Sequence, residues 1–171
     1  MKNSVNKLWS KGLPVDQIIE NFTIGKDREL DLELAEFDVL GSLAHVRMLS
    51  EQEIINKDEL PQILDGLKQI YEKVKSEDFQ IEEGIEDIHS QVEMMLGKNG
   101  AKIHTGRSRN DQVLVDLKLF YRRKLGLLID KLSSLALSFL DIADKHKDVL
   151  MPGYTHTQVA MTSSFGMYFS A

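Results

Sequence analysis

The sequence holds no cysteine, three prolines and eleven glycines among 171 residues. Zero cysteine excludes disulfides, a thiolate zinc site and a cysteine nucleophile. The scarcity of proline and glycine excludes collagen-like or linker character. Apolar residues make up 42% and charged residues 28%, a mix that can bury a sizeable core and excludes wholesale disorder. No apolar run approaches the ~18–20 residues of a membrane-spanning helix, so no membrane partner is expected. The opening Met1-Lys2-Asn3-Ser4-Val5-Asn6-Lys7-Leu8-Trp9 lacks the apolar stretch of a secretory signal, and the cytoplasm is the expected compartment. HExxH, paired histidines at metal spacing and a phosphate-binding loop are all missing, so neither a metal nor a nucleotide cofactor is expected.

What is present is charge laid out unevenly. Residues 1–97 carry 10 basic and 21 acidic side chains, whereas residues 98–131 carry 9 basic against Asp111, Asp116 and Asp130. Two readings of the basic block stay open: it attracts an anionic small molecule, or it pairs with the acidic first half. Nucleic acid is not expected, because the block has few aromatics and the chain as a whole is acidic.

Beyond an irregular arm over residues 1–25, with one helical turn near 15–21, the pattern is helical. Leu30, Leu34, Phe37, Gly41, Ala44 and Met48 recur at spacings of three and four, an apolar stripe down one helix face. Asp58 is a candidate N-cap, with Pro61 in the following first turn. Leu60, Ile63, Leu64, Leu67, Ile70, Tyr71 and Val74 form the next stripe. A shorter helix over Ile85–Leu96 stops at Gly97, a plausible left-handed cap. From about Asn110 to Lys147, Leu114, Leu117, Tyr121, Leu125, Leu128, Leu132, Leu135, Phe139 and Ile142 trace nearly a heptad seam. Such a helix is roughly 55 Å long, whereas a compact chain of this length is only about 40 Å across. Its seam therefore needs cover from outside its own globule, which predicts a bundle built from several chains. A turn at Met151-Pro152-Gly153 leads into a polar run, and Met161, Phe165, Met167, Tyr168 and Phe169 begin another apolar stretch. That stretch breaks off at Ala171 without a cap, which predicts a longer parent chain.

Two segments can carry chemistry. In His104-Thr105-Gly106-Arg107-Ser108-Arg109-Asn110-Asp111, N-cap residue types precede the long helix. Its free N–H groups, with Arg107 and Arg109, suit a carboxylate or phosphate. The alternative is a well-capped helix whose arginines pair within the fold. In Gly153-Tyr154-Thr155-His156-Thr157-Gln158, a histidine among hydroxyls and an amide can act as acid or base, or it is simply a loop histidine. His89 either faces a pocket together with Asp87 or lies on a solvated helix face. His45 reads as a packed or hydrogen-bonded helix residue and His146 as a surface one.

Taken in order, Lys7-Leu8-Trp9, the Phe37–His45 run, Glu86-Asp87-Ile88-His89, Ile103-His104-Thr105-Gly106-Arg107-Ser108-Arg109-Asn110-Asp111-Gln112 and Met151-Pro152-Gly153-Tyr154-Thr155-His156 span essentially the whole chain. This set resembles the argininosuccinate lyases of the fumarase/aspartase superfamily. The resemblance implies an all-α fold: an N-terminal helical domain over 1–106, then over 107–171 the start of a central domain. The latter supplies the first long helix of a multi-subunit bundle in a homotetramer. It implies reversible β-elimination of argininosuccinate to arginine and fumarate, without a redox or metal cofactor. By position it assigns His156 to proton transfer and Thr155 to a substrate hydrogen bond. Arg109 and Asn110 become substrate binders, Asp31 meets the arginine moiety, and Asp87, His89, Arg107 and Ser108 support the site. Asp27 falls at the substrate's amino-acid end, where relatives commonly place serine, and Thr157, Met161 and Thr162 also depart from the family pattern. The family's downstream serine loop is missing from these 171 residues, so the chain alone is expected to be inactive. A non-enzymatic bundle protein and another fumarate-releasing lyase are the alternatives, and the Gly106–Asp111 run argues against the latter.

Overall fold

The computed structural model describes residues 25–171, together with Ile19 and Phe22. Lys7-Leu8-Trp9 and, apart from Ile19, the helical turn predicted near 15–21 lie outside the described residues. Among the described residues the fold is all-α, with one small two-stranded sheet. Its helices are α1 (Asp27–Asp31), α2 (Ala35–Glu51), α3 (Leu60–Lys75), α4 (Ile88–Met95), α5 (Gly100–Ile103), α6 (Arg109–Lys145) and α7 (Phe165–Ser170). Strands β1 (Leu150–Thr155) and β2 (Gln158–Ser164) lie between α6 and α7. The chain divides into two compact units, Met1–Phe120 and Tyr121–Ala171, and α6 runs through the boundary.

In the first unit, α2 packs on α3, with α4 and α5 completing the core. The predicted stripe on α3 is the observed one: Ile63, Leu67 and Ile70 are buried and Leu60, Tyr71 and Val74 pack beside them. The helix starts one residue later than predicted, with Glu59 at the N-cap and Pro61 in the first turn. Asp58 instead donates its backbone N–H to Asn56 Oδ1 at 3.1 Å.

The stripe predicted from Leu30 to Met48 is buried at Phe37 but not at its ends. Leu30 and Met48 are 64% and 41% exposed. Besides Phe37, the buried residues of α2 are Ala35, Asp38, Val39, Ser42, Val46, Leu49 and Ser50. Two causes combine. A 3₁₀ turn at Leu32–Leu34 turns by three residues instead of 3.6 and breaks the phase between α1 and α2. The buried face also includes an aspartate and a serine, which a hydrophobic pattern assigns to solvent.

Helix α4 begins three residues after the predicted Ile85. Asp87 is its N-cap, accepting the Ser90 N–H at 2.7 Å, which satisfies one of the orphan donors of the first turn. Gly97 follows the helix at φ +59°, the left-handed position that glycine occupies at least cost. Three residues on, a Cβ at Gly100 would lie 2.0 Å from the Glu93 carbonyl oxygen, so α5 approaches α4 only because that position has no side chain.

Helix α6 runs over Arg109–Lys145, close to the predicted 110–147. Phe120 meets Phe37 edge-on at 6.0 Å. Residues 121–141 are exposed throughout, including the seam residues Leu125, Leu128 and Leu132 at 50–55%. In the second unit the expected turn at Met151–Gly153 is instead strand: Pro152 pairs opposite Thr162 and Gly153 opposite Met161, with a register shift between Gly153 and Tyr154. Proline is tolerated because both strands of a two-stranded sheet are edges. The chain reverses at His156 and Thr157, at φ +48° and +63°. Ser164 caps α7 through the Met167 N–H at 3.1 Å, and Phe169 packs against Phe139 and Phe165.

Leu67 is fully buried, so Leu67→Ala is expected to cost about 2–5 kcal/mol in urea unfolding followed by circular dichroism. Asp87→Ala, which removes the α4 cap and a part-exposed contact with Arg109, is expected to cost about 1 kcal/mol. Equal losses for the two would show that the α2–α3 packing is not the core.

Candidate functional site

The floor of the site is a polar cluster supplied by three helices. Asp38 comes from α2, His89 from α4, and Gln112 and Asp116 from successive turns of α6, none more than 4% exposed. His89 Nδ1 bonds Asp38 Oδ2, and the same oxygen accepts the Gln112 Nε2–H at 2.7 Å. Burial alone would depress the His89 pKa. The Asp38 hydrogen bond and charge, helped by the charge of Asp87, outweigh burial and raise it, so Nδ1–H donates to the carboxylate. Asp116 faces Asp38 with both of its oxygens buried and unserved by any donor, as is Asp38 Oδ1. Two carboxyls facing one another out of water cannot both ionise. Burial first, then the charge of Asp38, push Asp116 up to about 7.

Above this floor lies the turn that starts α6. Asp111 N–H donates to Ser108 Oγ and Ser108 N–H donates to Asp111 Oδ2, each at 3.3 Å. That reciprocal box caps the helix at Ser108. Arg107 turns inward and donates from Nη2 to Ser42 Oγ at 2.9 Å, and burial lowers its pKa against the pull of Asp38 and Asp116. Arg109 reaches α4: Nη2 donates to Ser90 Oγ at 3.2 Å. Its Nε lies 3.7 Å from Asp87 Oδ2 and its Nη1 3.6 Å from Glu93 Oε1. Asn110 is exposed on the first turn. The pairing reading of the basic block therefore holds in part, because Arg109 and the Lys102–Glu59 pair at 2.7 Å tie it to the acidic half.

Helix α1 closes over the start of α4. Asp31 Oδ2 accepts the Ile88 N–H at 3.2 Å and Arg28 Nε donates to the Ile85 carbonyl at 2.6 Å. Burial raises the Asp31 pKa against the hydrogen bond from Ile88 and the charge of His89, with Asp87 and Asp27 adding to the rise. Asp27 is exposed at the head of α1. Asp27, Asp31, Asp87, His89 and Arg109 thus gather electrostatically around the N-terminus of α4. The solvated-face alternative for His89 is overturned by its burial. His45 bonds the Thr105 carbonyl through Nε2 at 2.8 Å, and burial and Arg109 lower the pKa of His104. His146 is exposed.

Thr155 and His156 belong to the second unit, at the exposed hairpin tip, where Thr155 Oγ1 and His156 Nδ1 lie 3.0 Å apart. His156 holds a left-handed backbone, a region that few side chains other than glycine enter but that histidine, like asparagine and aspartate, occupies more often than most.

Sequence reasoning passed over Asp38, Ser90, Glu93, Gln112 and Asp116. The available signals were an aspartate between the apolar Phe37 and Val39, and Gln112 and Asp116 one turn apart on the face that also carries Leu119. Among the described residues, Asp38, His89 and Asp116 are the one group whose donor atoms lie close enough, within 4.8 Å, to hold a cation. In this structure His89 Nδ1 is bonded to Asp38.

The sequence model of the lyase family matches residues 10–171. The chain is 53% identical over 169 residues to the argininosuccinate lyases of Parabacteroides distasonis and Bacteroides thetaiotaomicron, covering 96% of this chain and 38% of each relative. An EDDS lyase variant solved with bound fumarate matches at a TM-score of 0.65 and 27% identity, over 93% of this chain and 32% of that one. The chain spans little more than a third of the length of the curated relatives it matches.

Asp116 binds its proton more tightly when folded than unfolded. The stability this contributes is complete below the ordinary carboxyl pKa near 4 and is lost as pH rises toward 7. Asp116→Asn removes the titration. Its stability relative to the native chain is expected to improve by more than about 1 kcal/mol between pH 4.5 and pH 8 in urea unfolding. A pH-independent offset would contradict the protonation assigned to the pair.

Proposed function

The chain belongs to the lyase family, and we propose that the protein carrying it is an argininosuccinate lyase releasing fumarate and arginine by β-elimination. The observation that carries the reading is the 53% identity to argininosuccinate lyases over 96% of this chain. The fumarate bound to the EDDS lyase variant, a relative in fold, supports the same product class.

The elimination removes a proton from the carbon next to a carboxylate and then breaks the C–N bond, so negative charge builds on that carboxylate as an aci-form. Arg109 is the group suited to it. A guanidinium binds both oxygens of a planar anion, and the Asp87, Glu93 and Ser90 contacts restrain it before substrate arrives, which lowers the ordering cost. Asn110, exposed on the first turn of α6, adds an amide to the same rim. His156 transfers the proton or activates the base, with Thr155 beside it at 3.0 Å and bonded to substrate. Asp31 takes the cationic arginine moiety. Asp27 adds negative charge toward the substrate's amino group, where relatives commonly place serine. Asp87 and His89, with Arg107 and Ser108, support these groups.

The working form is a homotetramer, a reading supported by the exposed leucine seam of α6 over residues 121–141. Residues 1–106 then act as the N-terminal helical domain and 107–171 as the start of the bundle domain. The compartment is cytoplasmic, in keeping with the lack of a helix long and apolar enough to cross a membrane among the described residues. The catalytic site is completed by segments beyond the third of the enzyme represented here.

Fumarate release from argininosuccinate, read by ultraviolet absorbance, tests the proposal. The full-length protein is expected to turn over and the 171-residue chain alone to be inactive. Arg109→Ala in the full-length protein is expected to lower kcat/KM roughly 10²–10³-fold. A full-length protein that folds but forms no fumarate would overturn the reading.

A further inference from the structure

Beneath Arg109 the first unit buries more ionisable groups than a structural core requires. Asp38, His89 and Asp116 bring their donor atoms within 4.8 Å of one another with no water-facing surface. Counting donors decides their charge. Asp38 Oδ2 receives two, from His89 and Gln112. Asp38 Oδ1 and both oxygens of Asp116 receive none. The contact between the two carboxyls becomes a hydrogen bond only when one of them carries a proton. The charged groups facing Asp116 are Asp38 from α2, His89 from α4 and Arg107 from the turn before α6. Arg107 is itself bonded to Ser42.

The floor is joined to the anion-binding rim by one short helix. Asp87, His89, Ser90 and Glu93 occupy the first two turns of α4 and its cap. His89 points down to Asp38, whereas Asp87, Ser90 and Glu93 hold Arg109. The interactions of His89 include both Asp38 and Arg109, so charge gained by the floor is felt at the rim.

From this geometry we infer that Asp116 is a positioning residue whose buried carboxyl holds a proton against Asp38, and that this proton sets the affinity of the Arg109 rim for the substrate's carboxylates. With the proton in place, the floor presents one carboxylate bonded to His89, and the rim keeps its full attraction for an anion. Loss of the proton adds one buried negative charge beneath that rim. At the separations of a protein interior such a charge weakens anion binding by about three- to tenfold. By linkage, a bound dicarboxylate tightens the hold on the proton by the same factor.

The inference rests on the lyase reading, and two measurements on the full-length protein keep their failures apart. The first is KM for argininosuccinate against pH. Between pH 6 and pH 8.5 the native KM is expected to rise about three- to tenfold more than that of Asp116→Asn, whose amide keeps the shape of the protonated acid. A purely structural role for Asp116 would shift both curves together, and parallel curves overturn the inference. The second is fumarate binding by calorimetry near pH 7, in buffers of different ionisation enthalpy. Proton uptake that is lost in Asp116→Asn is expected, and its absence from the native protein overturns the inference even where that variant does not fold. A native protein that binds fumarate without turning over argininosuccinate would sink the lyase reading and leave the proton linkage standing.

Discussion

The hydrogen bond between Asp38 and His89 is the constraint on which the first unit is organised. It is made between residues 51 apart in sequence, deep in the interior, and it joins α2 to α4. Gln112 brings α6 to the same oxygen. Removing either charged partner would leave the other buried and unpaired, which costs far more than a surface pair contributes. A network of this kind specifies one arrangement of three helices, where apolar packing alone tolerates several. Ile88 and Val92 on α4, with Val39 and Val46 on α2, supply the burial, and the polar contacts select its register.

That register determines what the rim can do. Placing His89 inward turns Asp87, Ser90 and Glu93 toward Arg109, and placing Gln112 inward starts α6 where the Ser108–Asp111 box can cap it. Arg109 is thus held by two carboxylates and a hydroxyl before any ligand arrives. The same carboxylates temper its charge, which favours a ligand that matches the guanidinium in shape as well as in sign. The closure of α1 over Ile88 through Asp31 adds an acidic edge suited to a substrate that is anionic at one end and cationic at the other.

Much of this was legible from residue types, for identifiable reasons. Helix α3 shows its period cleanly because its buried side chains are all apolar, and α4 ends where Gly97 predicts because the left-handed turn leaves few alternatives. The face of α2 was misread because Asp38 and Ser42 find their partners 51 and 65 residues away, beyond the reach of any local pattern. The hairpin was hidden by turn chemistry. Its reversal uses His156 and Thr157 at positive φ, whereas the Pro152-Gly153 pair that advertises a turn sits within a strand. At the site, Arg109, Asp87 and His89 were singled out through their motifs and Asp31 by position from the family resemblance, and Asp116 was counted only as a stray acid in a basic block. A count of charges along the chain does not distinguish a solvated aspartate from one buried among apolar neighbours, and the signal for Asp116 was its helical phase with Gln112 and Leu119.

The most direct measurement is a crystal structure of the assembled full-length protein soaked with argininosuccinate. A succinyl carboxylate is expected on the Arg109 guanidinium, the His156 imidazole on the same molecule, and the Asp38–His89 contact unbroken beneath them. A ligand held away from Arg109, or an assembly that keeps Arg109 and His156 too far apart for one small molecule to touch both, would contradict that expectation.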